Sequence, residues 1–239
     1  MNRPALIVNA DDFGQSPGIN RGVIRAYERG IVRSATLMVR WPAAEEAAAY
    51  ARDHPEMSVG LHLDLGEWHY TEGDWRARYE VVDSDDADAV EAEVERQLGG
   101  FRRLVGRYPT HLDSHQHVHR HEPVRTSLRR AGERLSVPVR HQSRHVRYLG
   151  AFYGQDGRGW PVPEAITVDA LLTLLESLPH GVTELGCHPG ELDGLESTYH
   201  AERVTEVETL CDDKVRVSID RLGIELCSFH DLPGAIPRA

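Results

Sequence analysis

The sequence predicts an α/β protein: a (β/α) barrel, irregular or incomplete, with an open doubly wound sheet as its competitor. Three observations point there. Seven or eight short apolar strands alternate with amphipathic helices along 239 residues. No Pro-, Gly- or Ser-rich linker and no internal repeat divides the chain, so 1–239 reads as one domain. The first strand runs into DDFGQSPG, not into the glycine signatures GxGxxG or GxxxxGK[ST] of nucleotide folds.

In chain order, Leu6–Ala10 is apolar without clean alternation, the pattern of a buried parallel strand. Ser16 and Pro17 then supply a helix cap and a first-turn proline, and the helix stops at Gly30. Ser34–Val39 is a second strand, Ala43–Arg52 a helix and Ser58–Leu63 a third strand. Asp64–Asp83 is aromatic but shows no steady period and reads as a long functional loop. Helix returns over Asp88–Val105, with Val90, Val94, Leu98, Phe101 and Val105 on one stripe. Thr110–Asp113 is a strand, Pro123–Leu135 a basic helix, Val137–His141 another strand and His145–Pro163 a second irregular stretch. Helix over Val168–Leu178, strand over Val182–Cys187, helix over Tyr199–Leu210 and strands at Val215–Ile219 and Glu225–Phe229 complete the reading.

The formal charge of −11 disfavours nucleic acid and anionic membrane as partners. The three cysteines form no CxxC pair, which argues against a disulfide scaffold or thiolate zinc and fits a reducing compartment. With no apolar run of membrane-spanning length and no leader-like start, a cytoplasmic protein is expected.

Chemistry-bearing residues gather at the carboxyl ends of strands, the rim where α/β folds assemble sites. Asp11 and Asp12 close the first strand; strand alternation points them apart, one toward a metal and the other toward a water, although a turn-and-cap role would use the same residues. His62 shares a strand face with Gly60, which clears space beside it; a satisfied core histidine is the other reading. His111–His121 holds five histidines in eleven residues, denser than a core pattern, with His115 nearest the strand end and Asp113 able to orient an imidazole. A solvated, incidental His-rich loop is the plainer alternative. His188 stands where Glu184–Gly190 breaks sharply, a useful place for a general acid, and Cys187 reads as a buried small hydrophobe. Asp12, His62 and His115 thus make a facial set for one divalent metal ion, with Mg2+ or Zn2+ foremost and Mn2+ or Ni2+ open. Asp11 is the base and His188 the acid.

Four segments, NADDFG (Asn9–Gly14), VGLHLDL (Val59–Leu65), THLDSHQHVH (Thr110–His119) and ELGCHPG (Glu184–Gly190), resemble in order those of the YdjC-like carbohydrate deacetylases, the chitooligosaccharide and hopanoid-associated deacetylases. The resemblance spans about residues 6–232. It implies a TIM-like, irregular barrel and removal of acetyl groups from N-acetylated mono- or oligosaccharides with a divalent metal, often in a homodimer. It also implies Asp12, His62 and His115 as metal ligands and Asp11 as base; His188 as acid, and His115 over His117 and His119, are less strictly specified. Trp68–Tyr70, Trp75, Tyr79 and Tyr148–Trp160 are candidates to cover a sugar. A phosphoesterase, a cyclic amidase and an inactive metal-binding barrel compete; Arg120 and Arg140 are the nearest basic residues for the first of these.

Overall fold

Why strand and helix alternate is clearest in β1 (Pro4–Phe13). Its even-numbered residues Leu6, Val8 and Ala10 join the large core beneath the helices, whereas Ala5 and Ile7 join a smaller apolar cluster with Val146, Val182, Cys227 and Phe229. Asn9 and Asp11 continue that second face toward the carboxyl end. The interior therefore changes from apolar to polar along one strand.

The computed structural model describes residues 3–194, 197 and 199–232, so the outermost residues of the expected 1–239 span lie outside the described part. The elements after β1 are α1 (Pro17–Arg29), β2 (Ser34–Leu37), α2 (Ala44–Asp53), β3 (Ser58–Leu63), β4 (Gly66–Thr71), β5 (Asp74–Glu80), α3 (Ala87–Val105) and β6 (Leu112–Ser114). They continue with α4 (Val124–Leu135), β7 (Val146–Leu149), α5 (Val168–Glu176), β8 (Gly181–Cys187), α6 (Ala201–Leu210), α7 (Asp213–Leu222) and β9 (Glu225–Cys227). Seven strands form one parallel sheet in the order β6-β3-β2-β1-β8-β7, with β9 pairing the first half of β1 and β2 its second half. The sheet curls into a half-barrel. It does not close as a full TIM barrel: among the described residues, only a single bridge, Leu112 to Val139, lies in the gap between β6 and β7.

Local signals hold at the helix ends. Ser16 Oγ accepts from Ile19 N at 3.1 Å, Asp86 caps α3, and Gly106 ends α3 at φ 79°. Four expectations change. Asp64–Asp83 is largely a hairpin, β4–β5, joined by Glu72-Gly73 at φ 51° and 89°, the paired positive angles of a tight hairpin turn. Val146–Leu149 forms a strand inside the second irregular stretch. Val137–His141 contributes only the Val139 bridge, not a strand. Val215–Ile219 is helical: Asp212 caps Lys214 N, and Val215, Ser218 and Ile219 bury one face while Val217 stays 63% exposed. The alternating VRVSI pattern imitated a strand. Among the described residues no helix is long and apolar enough to cross a membrane.

Candidate active site

Each functional side chain sits where a β-strand ends. β1 is irregular between Ala10 and Phe13, and Asp12 takes φ 64°. That break overrides strand alternation, so Asp11 and Asp12 do not point apart; both line one cavity of about 740 Å³. Gly60 also differs from expectation. A Cβ there would lie 2.6 Å from His111 Cε1, so the glycine makes room for a buried histidine rather than for a ligand.

Asp12 Oδ1 is the point of convergence. It accepts from His115 Nδ1 at 3.0 Å and faces His62 Nε2 at 3.3 Å, while Arg203 Nη2 donates to Oδ2 at 2.7 Å. One donor atom from each of Asp12, His62 and His115 lies within 4.8 Å of those of the other two. Asp113 Oδ1 holds His62 Nδ1 at 2.7 Å, the carboxylate–imidazole pairing that fixes the tautomer of a metal ligand. His115 Nε2 is buried with no hydrogen-bond partner, its nearest carboxylate being Glu67 Oε2 at 3.8 Å. An O,N,N set around a shared oxygen with an orphaned imidazole nitrogen fits a divalent cation. Asp11, His62 and Asp113 also cluster within 4.8 Å, but both of those carboxylates are engaged by Arg140.

Arg140 is completely buried and ties the floor together. It donates to Asp11 through Nη1 at 2.6 Å and Nη2 at 2.7 Å, and its Nη2 lies 2.9 Å from Asp113 and 2.7 Å from Glu184. Burial alone would raise the Asp11 carboxyl, but the Arg140 charge and hydrogen bonds bring it far below the usual range. Asp12 is lowered too, with burial outweighed by Arg203 and His115. His115 is lifted to about 9: Asp12 and its hydrogen bond overcome the burial that opposes the charge. His62 rises above its ordinary value through Asp113 and Asp12, again against burial. His188 goes the other way, to about 4, because burial outweighs the attraction of Asp11 and Asp12. Its Nε2 stands 3.8 Å from Asp11 Oδ2.

The structure thus brings all five predicted residues into one cavity, and His115 rather than His117 or His119 reaches Asp12. His117 and His119 lie farther along the turn, packed with His141; burial and the Arg140 charge lower all three imidazoles, His119 to about 2 and His141 to about 4. Strain collects at the same place. Of the six non-glycine residues with positive φ among those described, Asp12, Gln116, His117 and His141 all line the cavity.

Sequence reasoning missed the roles of Arg203, Glu184 and Glu206, and left Arg140 as a basic neighbour without a partner. Glu206 accepts from the His188 backbone N–H and from the Tyr199 hydroxyl, so it holds the acid candidate from behind. Arg203, Glu206 and Arg140 carry no local motif, and Glu184 opens the ELGCHPG segment without a pattern that names its partner. The hairpin did have a signal: a two-residue loop containing glycine between alternating aromatic runs. Gln116 pins it to the histidine turn, its side-chain amide pairing with both Trp68 N and Trp68 O at 2.8 Å. Trp68, Tyr70, Trp75, Tyr148 and Tyr153 line the cavity. Tyr79 instead donates to Asp64 beneath the hairpin, and Trp160 stands outside, 66% exposed. Cys187 is buried and its thiol is pushed up by burial, so no nucleophilic thiolate is present there.

The profile of the YdjC-like protein family matches residues 5–221. A carbohydrate deacetylase of Geobacillus stearothermophilus is 34% identical over 246 aligned positions, covering 94% of this chain and 96% of the relative. A chitooligosaccharide deacetylase of Serratia marcescens is 32% identical, covering 95% and 98%. A crystal structure from Enterococcus faecalis V583, of a protein named for cellobiose-phosphate cleavage, superposes with a TM-score of 0.81 at 28% identity, covering 98% of this chain and 100% of that one.

Proposed function

This chain belongs to the YdjC-like protein family, and we propose that it is a metal-dependent carbohydrate deacetylase that hydrolyses the N-acetyl group of mono- or oligosaccharides to acetate and a free amine. The observation that carries this reading is the convergence of His62 and His115 on Asp12 Oδ1, beside an Arg-held carboxylate and a neutral imidazole. The named activities of two relatives supply the substrate class.

Asp12, His62 and His115 would hold one divalent ion, Mg2+ or Zn2+. When bound, such an ion supplies Lewis acidity toward a carbonyl oxygen and a water. Asp11 accepts the proton that the attacking water loses. Arg140 donates to both Asp11 oxygens and keeps the carboxylate ionised at rest. His188, neutral at rest, receives the proton at Nε2 and delivers it to the departing amine nitrogen. Asp113 and Thr36 keep the His62 ring oriented, and Glu206 fixes the backbone beneath His188. Trp68, Tyr70 and Trp75 present flat faces to the C–H surfaces of the sugar and exclude water. The whole chain works as one catalytic domain, with 64–83 and 145–163 forming the walls of its site.

Acetate release from N-acetylglucosamine oligomers, measured with and without EDTA and after metal is restored, tests this. The expected result is release that EDTA abolishes and added metal recovers. Release unaffected by EDTA overturns the metal role. Metal retention without release from any N-acetylated sugar identifies an inactive binding barrel. Hydrolysis of phosphate esters or cyclic amides in place of acetamides establishes one of the other hydrolases.

A further inference from the structure

Beside the Asp12 site stands a second group of imidazoles that the proposed reaction does not use. One nitrogen from each of His117, His119 and His141 lies within 4.8 Å of those of the other two. Their rings pack pairwise with centroids 5.8, 5.3 and 5.4 Å apart. His119 is fully buried, and its Nε2 has no hydrogen-bond partner; His117 Nδ1 is buried without one as well. A protein interior seldom leaves such nitrogens unsatisfied.

The other nitrogen of each of these two rings is held. Ser114 Oγ lies 2.6 Å from His119 Nδ1 and also accepts from His119 N at 3.0 Å. Where Ser114 accepts from Nδ1–H, Nε2 is left with a bare lone pair. The Tyr148 hydroxyl, 3.3 Å from His117 Nε2, can do the same for Nδ1. Such outer partners are how proteins orient metal-binding imidazoles. His117 and His141 adopt φ of 55° and 64°, a conformation that side chains of this size rarely take without a compensating gain.

We propose that His117, His119 and His141 form a second metal site, separate from Asp12, His62 and His115, that takes a borderline divalent ion such as Zn2+. Three neutral nitrogens and no carboxylate select against Mg2+ and favour Zn2+, Ni2+ or Cu2+. His117 and His141 line the cavity that also holds Asp11 and Asp12, so the ion would have room for water or a substrate group in a fourth position. The neighbouring Arg140 charge does not oppose it unmatched, because Asp11, Asp113 and Glu184 surround that guanidinium.

The proposal is tested by counting metal rather than activity, so its outcome is independent of the deacetylase reading. The full chain is stripped of metal, dialysed against Zn2+ and assayed for bound metal, alongside His141→Ala and a His62→Ala/His115→Ala double variant. The wild type is expected to hold two equivalents and each variant one. With Co2+ in place of Zn2+, the double variant should retain the visible absorption of a four-coordinate ion. His141 is the most exposed of the three, so its replacement disturbs the core least and its count stands even if the double variant does not fold. Zn2+ content unchanged by His141→Ala overturns the proposal, as does a cooperatively melting double variant that binds no metal.

Discussion

The floor and the roof of the cavity are built on opposite principles. On the floor, Asp11, Asp12, His62, Asp113 and Arg140 have side chains no more than 2% exposed, and each carboxylate is matched by a guanidinium or an imidazole. The roof is a two-stranded hairpin and an irregular stretch, with Trp75 51% exposed and the hairpin tied to the histidine turn by the Gln116–Trp68 pair. Preset charges on the floor need no reorganisation when a reaction develops charge nearby. The roof gains from adaptable, flat surface. On the proposed reading, chemistry and fit fall to different parts of the chain, and substitutions in the two should separate kcat from KM.

The sharpest break in that contrast comes from Asp12→Ala or His62→Ala. Either should remove the metal equivalent held at Asp12, His62 and His115, leave the one at the second histidine cluster, and lower acetate release on the order of 10³-fold, read by metal content and turnover. A variant that keeps full metal content and turnover would show that the floor is only structural. Arg140→Met comes next, because it leaves three carboxylates buried around an uncharged side chain. A loss of about 3–5 kcal/mol in denaturant unfolding is expected. Wild-type stability would mean that the network is less dependent on Arg140 than its geometry requires.

A milder effect concerns pH. Burial raises the Glu206 carboxyl to about 8, against the lowering influence of the Tyr199 hydroxyl and the His188 N–H. A carboxyl raised on folding binds more protons in the native state, so its contribution is full below its unfolded value and is lost as pH rises through about 8. The melting temperature of the wild type should therefore fall relative to Glu206→Gln between about pH 5 and 9, and the gap should stop widening above that. Parallel curves would place the carboxyl in its ordinary range. The smallest change belongs to the roof: Trp75→Ala should raise KM about threefold to tenfold, the worth of one aromatic contact, with kcat and stability little altered. A kcat loss as large as that of a floor variant would erase the division between the two regions.

Much of this architecture is legible in the sequence. The order of most strands and helices, the cap at Ser16, and the placing of the five rim residues at strand ends follow from patterns within a few positions of each other. Legibility failed where two local patterns compete. VRVSI alternates like a strand, yet the Asp212 cap and the Gly223 terminus make it a helix that leaves Val217 in water. It failed again at Asp12, where a positive φ breaks the alternation that a regular strand imposes.

By itself, then, the sequence determined the α/β rhythm and which carboxylate and imidazoles stand at strand ends, since periodicity and capping depend on neighbours along the chain. Only the tertiary structure decided that the sheet stops at a half-barrel, that Arg140 crosses to Asp11 over a separation of 129 positions, and that Arg203 reaches Asp12 over 191. Those pairings are selected by the need to match buried charge in space, and charge matching leaves no period in the chain.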